Sequence, residues 1–120
     1  MIEKRAYQRF KVNLLGFFKA FGVSEDSFET TVFNVGQEGL CFYSSFKLRE
    51  NQGIELSLQL PNGENIKVNG VTVWSEKKDK SGFYGVGLKL VRTGSEDERI
   101  LMDFYREKEL MEKKPKKKVL

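Results

Sequence analysis

The sequence contains no histidine and a single cysteine. That absence excludes the usual zinc ligand sets and the Ser-His-Asp and Cys-His arrangements of hydrolytic enzymes. A lone cysteine cannot close an internal disulfide, which agrees with a reducing compartment, and Cys41 reads as a small strand residue. Long apolar runs are missing too. Nothing approaches the roughly 20 residues that span a bilayer, and the N-terminus has no apolar secretion core, so a cytoplasmic protein without a membrane span is expected. The acidic pairs Glu25-Asp26 and Glu96-Asp97 fall in a loop and at a helix start, where solvation and the helix dipole account for them. No catalytic site is identified, and an enzyme is not expected. The glycines of GFYGVG lie within a strand rather than before a helix, so they form no dinucleotide cradle and are expected to ease strand curvature.

What remains is ample for one folded domain. The chain has 120 residues, 39% of them hydrophobic, with ten Phe, four Tyr and one Trp. Its net charge of +4 is a local matter, because Lys113, Lys114, Lys116, Lys117 and Lys118 cluster in the last eight residues. Without them 16 basic side chains face 17 acidic ones. The body is therefore not a general nucleic-acid binder, and residues 113–120 read as a disordered, solubilising tail.

Strand patterns fill the chain as far as about residue 92. In ELSLQLPNGENIKVNG, Ile54, Leu56, Leu58 and Leu60 alternate with polar residues until Pro61-Asn62-Gly63 turns the chain into Ile66 and Val68, which predicts a hairpin. FYGVGLKLV alternates through Tyr84, Val86, Leu88 and Leu90. VNLLGFFKAF, TTVFNV and GLCFYS are earlier candidates. Six strands without a long helix between them imply an all-β fold, an antiparallel sheet closing into a small barrel. In IKVNGVTVW the apolar parity switches after Gly70, so a bulge is expected there, directing Trp74 outward or leaving it to cap a barrel end. After Gly94 the period becomes helical. Ser95 and Glu98 make a capping box, and Ile100, Leu101, Phe104, Tyr105 and Met111 form one stripe on a C-terminal helix of about four turns.

Two short stretches remain unexplained by packing. The opening KRAYQR places Arg5 and Arg9 four residues apart beside Lys4. FNVGQEGL offers the amide of Asn34 with Gly36 and Gly39, glycines that permit positive φ and a close approach by a planar ligand. An Asn and two glycines between strands also make an ordinary turn.

Together, Arg5-Ala-Tyr-Gln-Arg9 and Asn34-Val-Gly-Gln-Glu-Gly39 resemble the RxxxR and [DN]xSxxG motifs of the PilZ-domain family. LPNG, GVTVW and FYGVGLKL follow in the order and spacing of that family, so the resemblance covers roughly residues 4 to 105. It implies a six-stranded antiparallel split barrel with a C-terminal α-helix. Residues 1–11 would be an arginine-motif arm and residues 12–112 the barrel and helix. The implied ligand is the bacterial second messenger cyclic di-GMP, with no other cofactor and no metal. By resemblance Arg5 and Arg9 contact phosphate and guanine, as a planar guanidinium fork suits both. Lys4 adds charge, Asn34 pairs with a guanine edge, Gly39 closes the second motif, and Trp74 stacks near the nucleotide. Gly36 stands where the family has Ser, and one lost hydrogen bond costs about 0.5–1.5 kcal/mol.

The implied function is a stand-alone receptor, a monomer or weak dimer. Its ligand would order the arm, change the exposed surface and signal in trans to an effector protein, in control of motility or biofilm formation. Arg5 lies so close to Met1 that no upstream domain is expected. A PilZ-like adaptor that no longer binds nucleotide is the alternative that Gly36 favours. A nucleic-acid-binding barrel using the lysine tail is a third reading, opposed by the near-neutral body.

Overall fold

The structure, a computed structural model, describes residues 9–78 and 80–113. The elements are β1 (Phe10–Ala20), β2 (Phe28–Val35), β3 (Gly39–Ser44), β4 (Gly53–Gln59), β5 (Asn65–Lys78), β6 (Phe83–Leu90) and α1 (Glu96–Lys113). The six strands close into a barrel in the order β1-β2-β3-β6-β5-β4, with β1 pairing back onto β4. Every neighbouring pair is antiparallel. Strand β1 already includes Phe10 and Lys11, because Phe10 points inward and packs its ring 5.3 Å from that of Tyr105 on α1.

Alternation explains most of the closure. Ile54, Leu56 and Leu58 of β4 are buried, and the Glu55, Ser57 and Gln59 between them are not. The expected hairpin forms by pairing Gly53–Gln59 with Asn65–Val71. Its turn uses Gly63 at φ 92°, and the Asn62 carbonyl Oδ1 accepts from the Glu64 amide at 2.9 Å. In the core Phe18 packs against the rings of Phe28, Phe42 and Phe46, with the Phe18 and Phe42 centroids 4.9 Å apart. Burying such a ring contributes about 1.5–3 kcal/mol.

The expected bulge at Gly70 is not there. Pairing with β4 runs unbroken through Gly70, which faces inward because an added Cβ would lie 2.5 Å from the Lys89 carbonyl and 2.8 Å from Leu88 Cγ. The irregularity falls at Val73, between Thr72 opposite Leu88 and Trp74 opposite Gly87. Parity misled because the inward positions there are Gly70 and Thr72, not valines. Thr72 is buried, and its hydroxyl accepts from the Gln52 amide at 2.8 Å and donates to the Arg49 carbonyl.

The helix starts as its capping box requires. Ser95 Oγ accepts from the Glu98 amide at 3.1 Å, while the buried Glu98 carboxylate accepts from the amides of Thr93 and Gly94 and from the Thr93 hydroxyl. Leu101 and Tyr105 are buried against the barrel, and Ile100 and Phe104 half-buried. Met111 does not continue the stripe. Met111 is 69% and Leu110 63% exposed, because the 18-residue helix outruns the wall it packs on. Among the described residues no helix is long and apolar enough to cross a membrane.

Hydrogen bonding from Thr93 holds the Glu98 carboxyl below its ordinary value, outweighing the opposite effect of burial. A carboxyl lowered by folding stabilises at pH values above its unfolded value, and that contribution is lost as pH falls through the folded value. Glu98→Ala is therefore expected to cost about 1–3 kcal/mol in urea unfolding at neutral pH. The deficit should shrink on acidification below the ordinary carboxylate range.

Candidate functional site

Two bulges bring the site together. In β2 the inward residues are Thr30, Val32 and Val35, a break in alternation that puts both Phe33 and Asn34 outside. Asn34 faces Lys11 on β1 and Cys41 on β3. Cys41 faces Gly87 on β6, and Gly87 faces Trp74 just past the second bulge, on β5. Lys11, Asn34, Cys41, Gly87 and Trp74 thus form one continuous cross-strand row on the outer wall, each step about 5 Å.

Arg9 lies across this row. Its Nη1 donates to Cys41 Sγ at 3.5 Å, and a Cβ added at Gly36 would be 3.1 Å from Arg9 Cγ and 3.8 Å from Nε. Gly36 therefore leaves the space through which the arginine stem passes. Cys41 alternates outward from Leu40 and Phe42, yet it is only 1% exposed. Beside it, Asn34 Oδ1 is buried and has no hydrogen-bond partner among the described residues. Such an acceptor costs about 1–3 kcal/mol while unpaired.

The connection between β2 and β3 differs from expectation in one respect. Neither Gly36 nor Gly39 has positive φ; among the described glycines only Gly22, Gly63, Gly82 and Gly94 do. Close approach is what these two positions require. A Cβ at Gly39 would overlap the Leu88 carbonyl, so only glycine lets β3 enter against β6 here. The connection is pinned by Gly36 N–H donating to the Gly39 carbonyl at 2.7 Å, by Leu90 N–H donating to Glu38 at 2.9 Å, and by Arg92 donating to the Gln37 carbonyl.

Trp74 lies on the outer wall and not at a barrel end. A Cβ at Gly87 would collide with its indole, so the ring rests on the bare backbone of that glycine. Gly85, the next outward position of β6, is covered in the same way by the stem of Lys78, whose Nζ is 5.9 Å from the indole centroid. Gly85 and Gly87 thus serve as a floor for two side chains, which is a different use from easing curvature. Of the residues expected from sequence, Arg9, Asn34, Gly36 and Gly39 gather at one end of the row and Trp74 lies at the other. Arg5 and Lys4 lie outside the described residues, as does the tail beyond residue 113. Cys41, Gly87 and Lys78 were not expected. The signal for Gly87 was its parity, opposite to Tyr84, Val86, Leu88 and Leu90, which put a residue without a side chain on the outer face.

Comparison with known proteins gives one family. The family model described as PilZ domain matches residues 3–107. No curated protein matches significantly. The Bacillus subtilis inhibitor of motility, MotI/DgrA, superposes with a TM-score of 0.73 at 17% identity over 94% of this chain and 55% of that one. The PilZ domain of Escherichia coli YcgR, solved with c-di-GMP, gives 0.70 at 12% identity over 92% of this chain and 97% of that one. The K. pneumonia MrkH–c-di-GMP complex gives 0.71 at 13% identity over 97% of this chain and 56% of that one. The chain spans little more than half the length of MotI and MrkH but nearly all of the YcgR domain. At these identities the likeness is one of fold.

Gly87→Ala should drive the indole off the wall, because a rigid ring cannot yield to a Cβ as a flexible stem can. The expected result is red-shifted, more quenchable fluorescence from the only tryptophan. Gly39→Ala should instead leave the emission in place and lower stability by at least about 1 kcal/mol, because the obstacle is backbone.

Proposed function

Because this chain belongs to the PilZ-domain family, we propose that it is a receptor for cyclic di-GMP and that the outer row from Arg9 to Trp74 holds the ligand. The observation that carries this reading is Asn34 Oδ1, buried without a partner among the described residues and opposite Cys41, to which the Arg9 guanidinium donates. Guanine offers the complementary donors, and its amino group would relieve an acceptor that is otherwise left unpaired. Among the described residues Arg9 donates to the weak acceptor Sγ alone, which leaves the rest of its fork for a phosphate or for the O6 and N7 edge of guanine.

Arg5 and Lys4 would complete the clamp from the N-terminal arm. Trp74 offers an aromatic surface whose stacking on a base contributes about 1–3 kcal/mol. Support also comes from the YcgR PilZ domain and MrkH, both solved with c-di-GMP on a similar fold. The chemistry is binding without catalysis: ligand bridges the arm and the barrel wall, and a partner protein reads the altered surface.

Gly36 supports a second reading, an adaptor that works without nucleotide. This position has no hydroxyl for a ligand, and Arg9 occupies the space beside it.

Calorimetric titration with cyclic di-GMP, with GTP as a control, separates the two. Saturable binding is expected, lost in the Arg5→Ala, Arg9→Ala double variant and weakened at least tenfold in Asn34→Ala, as befits a hydrogen bond to a buried group. Absence of binding near millimolar ligand would overturn the receptor reading. Gly36→Ser is expected to tighten binding about threefold to tenfold by restoring one hydrogen bond, since the Arg9 stem can give the few tenths of an ångström that a Cβ requires.

A further inference from the structure

We infer that Lys78 is a further ligand-contacting residue, whose ammonium pairs with a phosphate of a nucleotide stacked on Trp74. This rests on the outer wall being a cyclic di-GMP site, and it adds a cation at the end of that site opposite Arg9. Lys78 ends β5 and faces Phe83, where a solvated lysine would extend away from the barrel. Instead its stem folds back over Gly85. A Cβ there would lie 2.5 Å from Lys78 Cε and 3.5 Å from Nζ.

Holding a lysine stem down costs rotamer entropy, which burial of its methylenes on a bare glycine offsets only in part. The result is an ammonium fixed 5.9 Å from the indole centroid. None of the ion pairs among the described residues involves Lys78. Its ammonium is therefore positioned without an ion pair among the described residues, although Glu76, opposite Gly85 on the same outward face of β5, puts one carboxylate in the neighbourhood.

The placement relative to Arg9 makes this more than a local contact. Arg9 reaches Cys41, one cross-strand step of about 5 Å from Gly87, and Gly85 lies two residues, about 7 Å, further along β6. Two cations thus border one aromatic surface, Arg9 across the strands from it and Lys78 along β6. A base lying on the indole would carry its phosphates between positive charges, an arrangement that fits a ligand with two phosphates better than a mononucleoside. Beyond Lys78 the wall opens into a cleft of about 480 Å³ lined by Phe28, Tyr43 and Phe83, so the ammonium is reachable from solvent.

The test compares cyclic di-GMP affinity across a salt series for the wild type, Lys78→Met and Gly85→Ala. Methionine keeps most of the stem and removes the charge; alanine at 85 keeps the charge and lifts the stem off its floor. Both variants are expected to bind about tenfold more weakly. For Lys78→Met the salt dependence of Kd should also become shallower than in the wild type, because screening then acts on one cation–phosphate attraction fewer. Thermal unfolding of each variant confirms that it is folded. Wild-type affinity and salt slope in Lys78→Met, with binding still abolished in the arginine double variant, would overturn the Lys78 assignment and leave the receptor reading intact. Weaker binding with an unchanged salt slope would overturn it as well, as the sign of a packing role. A wild type that binds no cyclic di-GMP would defeat the receptor reading itself, and Lys78 with it.

Discussion

The site depends on two interruptions of strand alternation, at Phe33 in β2 and Val73 in β5. Everywhere else the barrel obeys the rule that one parity faces the core and the other faces out. Without the first bulge Asn34 would follow Val32 inward, a polar amide among Val32, Val35 and Leu40 with nothing to bond. With it, Asn34 lies on the outer face while Val35 keeps its place in the core. The second bulge sets Trp74 opposite Gly87, in register with Asn34 and Cys41. Each extra residue disturbs the ladder locally and leaves the barrel closed.

Missing side chains then do what hydrogen bonds cannot. Gly36 admits the Arg9 stem, Gly39 admits the Leu88 carbonyl, and Gly85 and Gly87 admit Lys78 and Trp74. Each glycine allows a second chain segment to approach a backbone that any Cβ would hold away. The polar groups of this outer wall include the Arg9 guanidinium, the Asn34 oxygen unpaired among the described residues, Lys11, Lys78 and Glu76.

The helix contributes from the opposite direction. Tyr105 holds Phe10 at 5.3 Å, which fixes the start of β1 immediately after Arg9. Glu98 in turn holds the helix entry to the end of β6 through Thr93 and Gly94. The arginine that crosses the candidate site is thus anchored by a core contact one residue away.

Much of this was legible in order of residues alone. Period-two patterns mark the six strands, Pro61-Asn62-Gly63 marks the hairpin, and Ser95 with Glu98 marks the helix start, because each reports a local preference of the chain. The two motifs name Arg9, Asn34, Gly36 and Gly39 as neighbours, which the fold makes them. Periodicity failed at Gly70, where glycine and threonine fill inward positions, and at Met111, where a helical stripe continues past the surface that could cover it. Nothing in one dimension sets Trp74 on Gly87 or joins Cys41 to Arg9, since those contacts exist only after segments far apart in sequence lie side by side. Composition and local pattern determined that the chain is a barrel with a capped helix, because propensity and burial act within a few residues. Tertiary structure alone decided which outward residues share a row, because that depends on register between strands as far apart in sequence as Asn34 and Trp74.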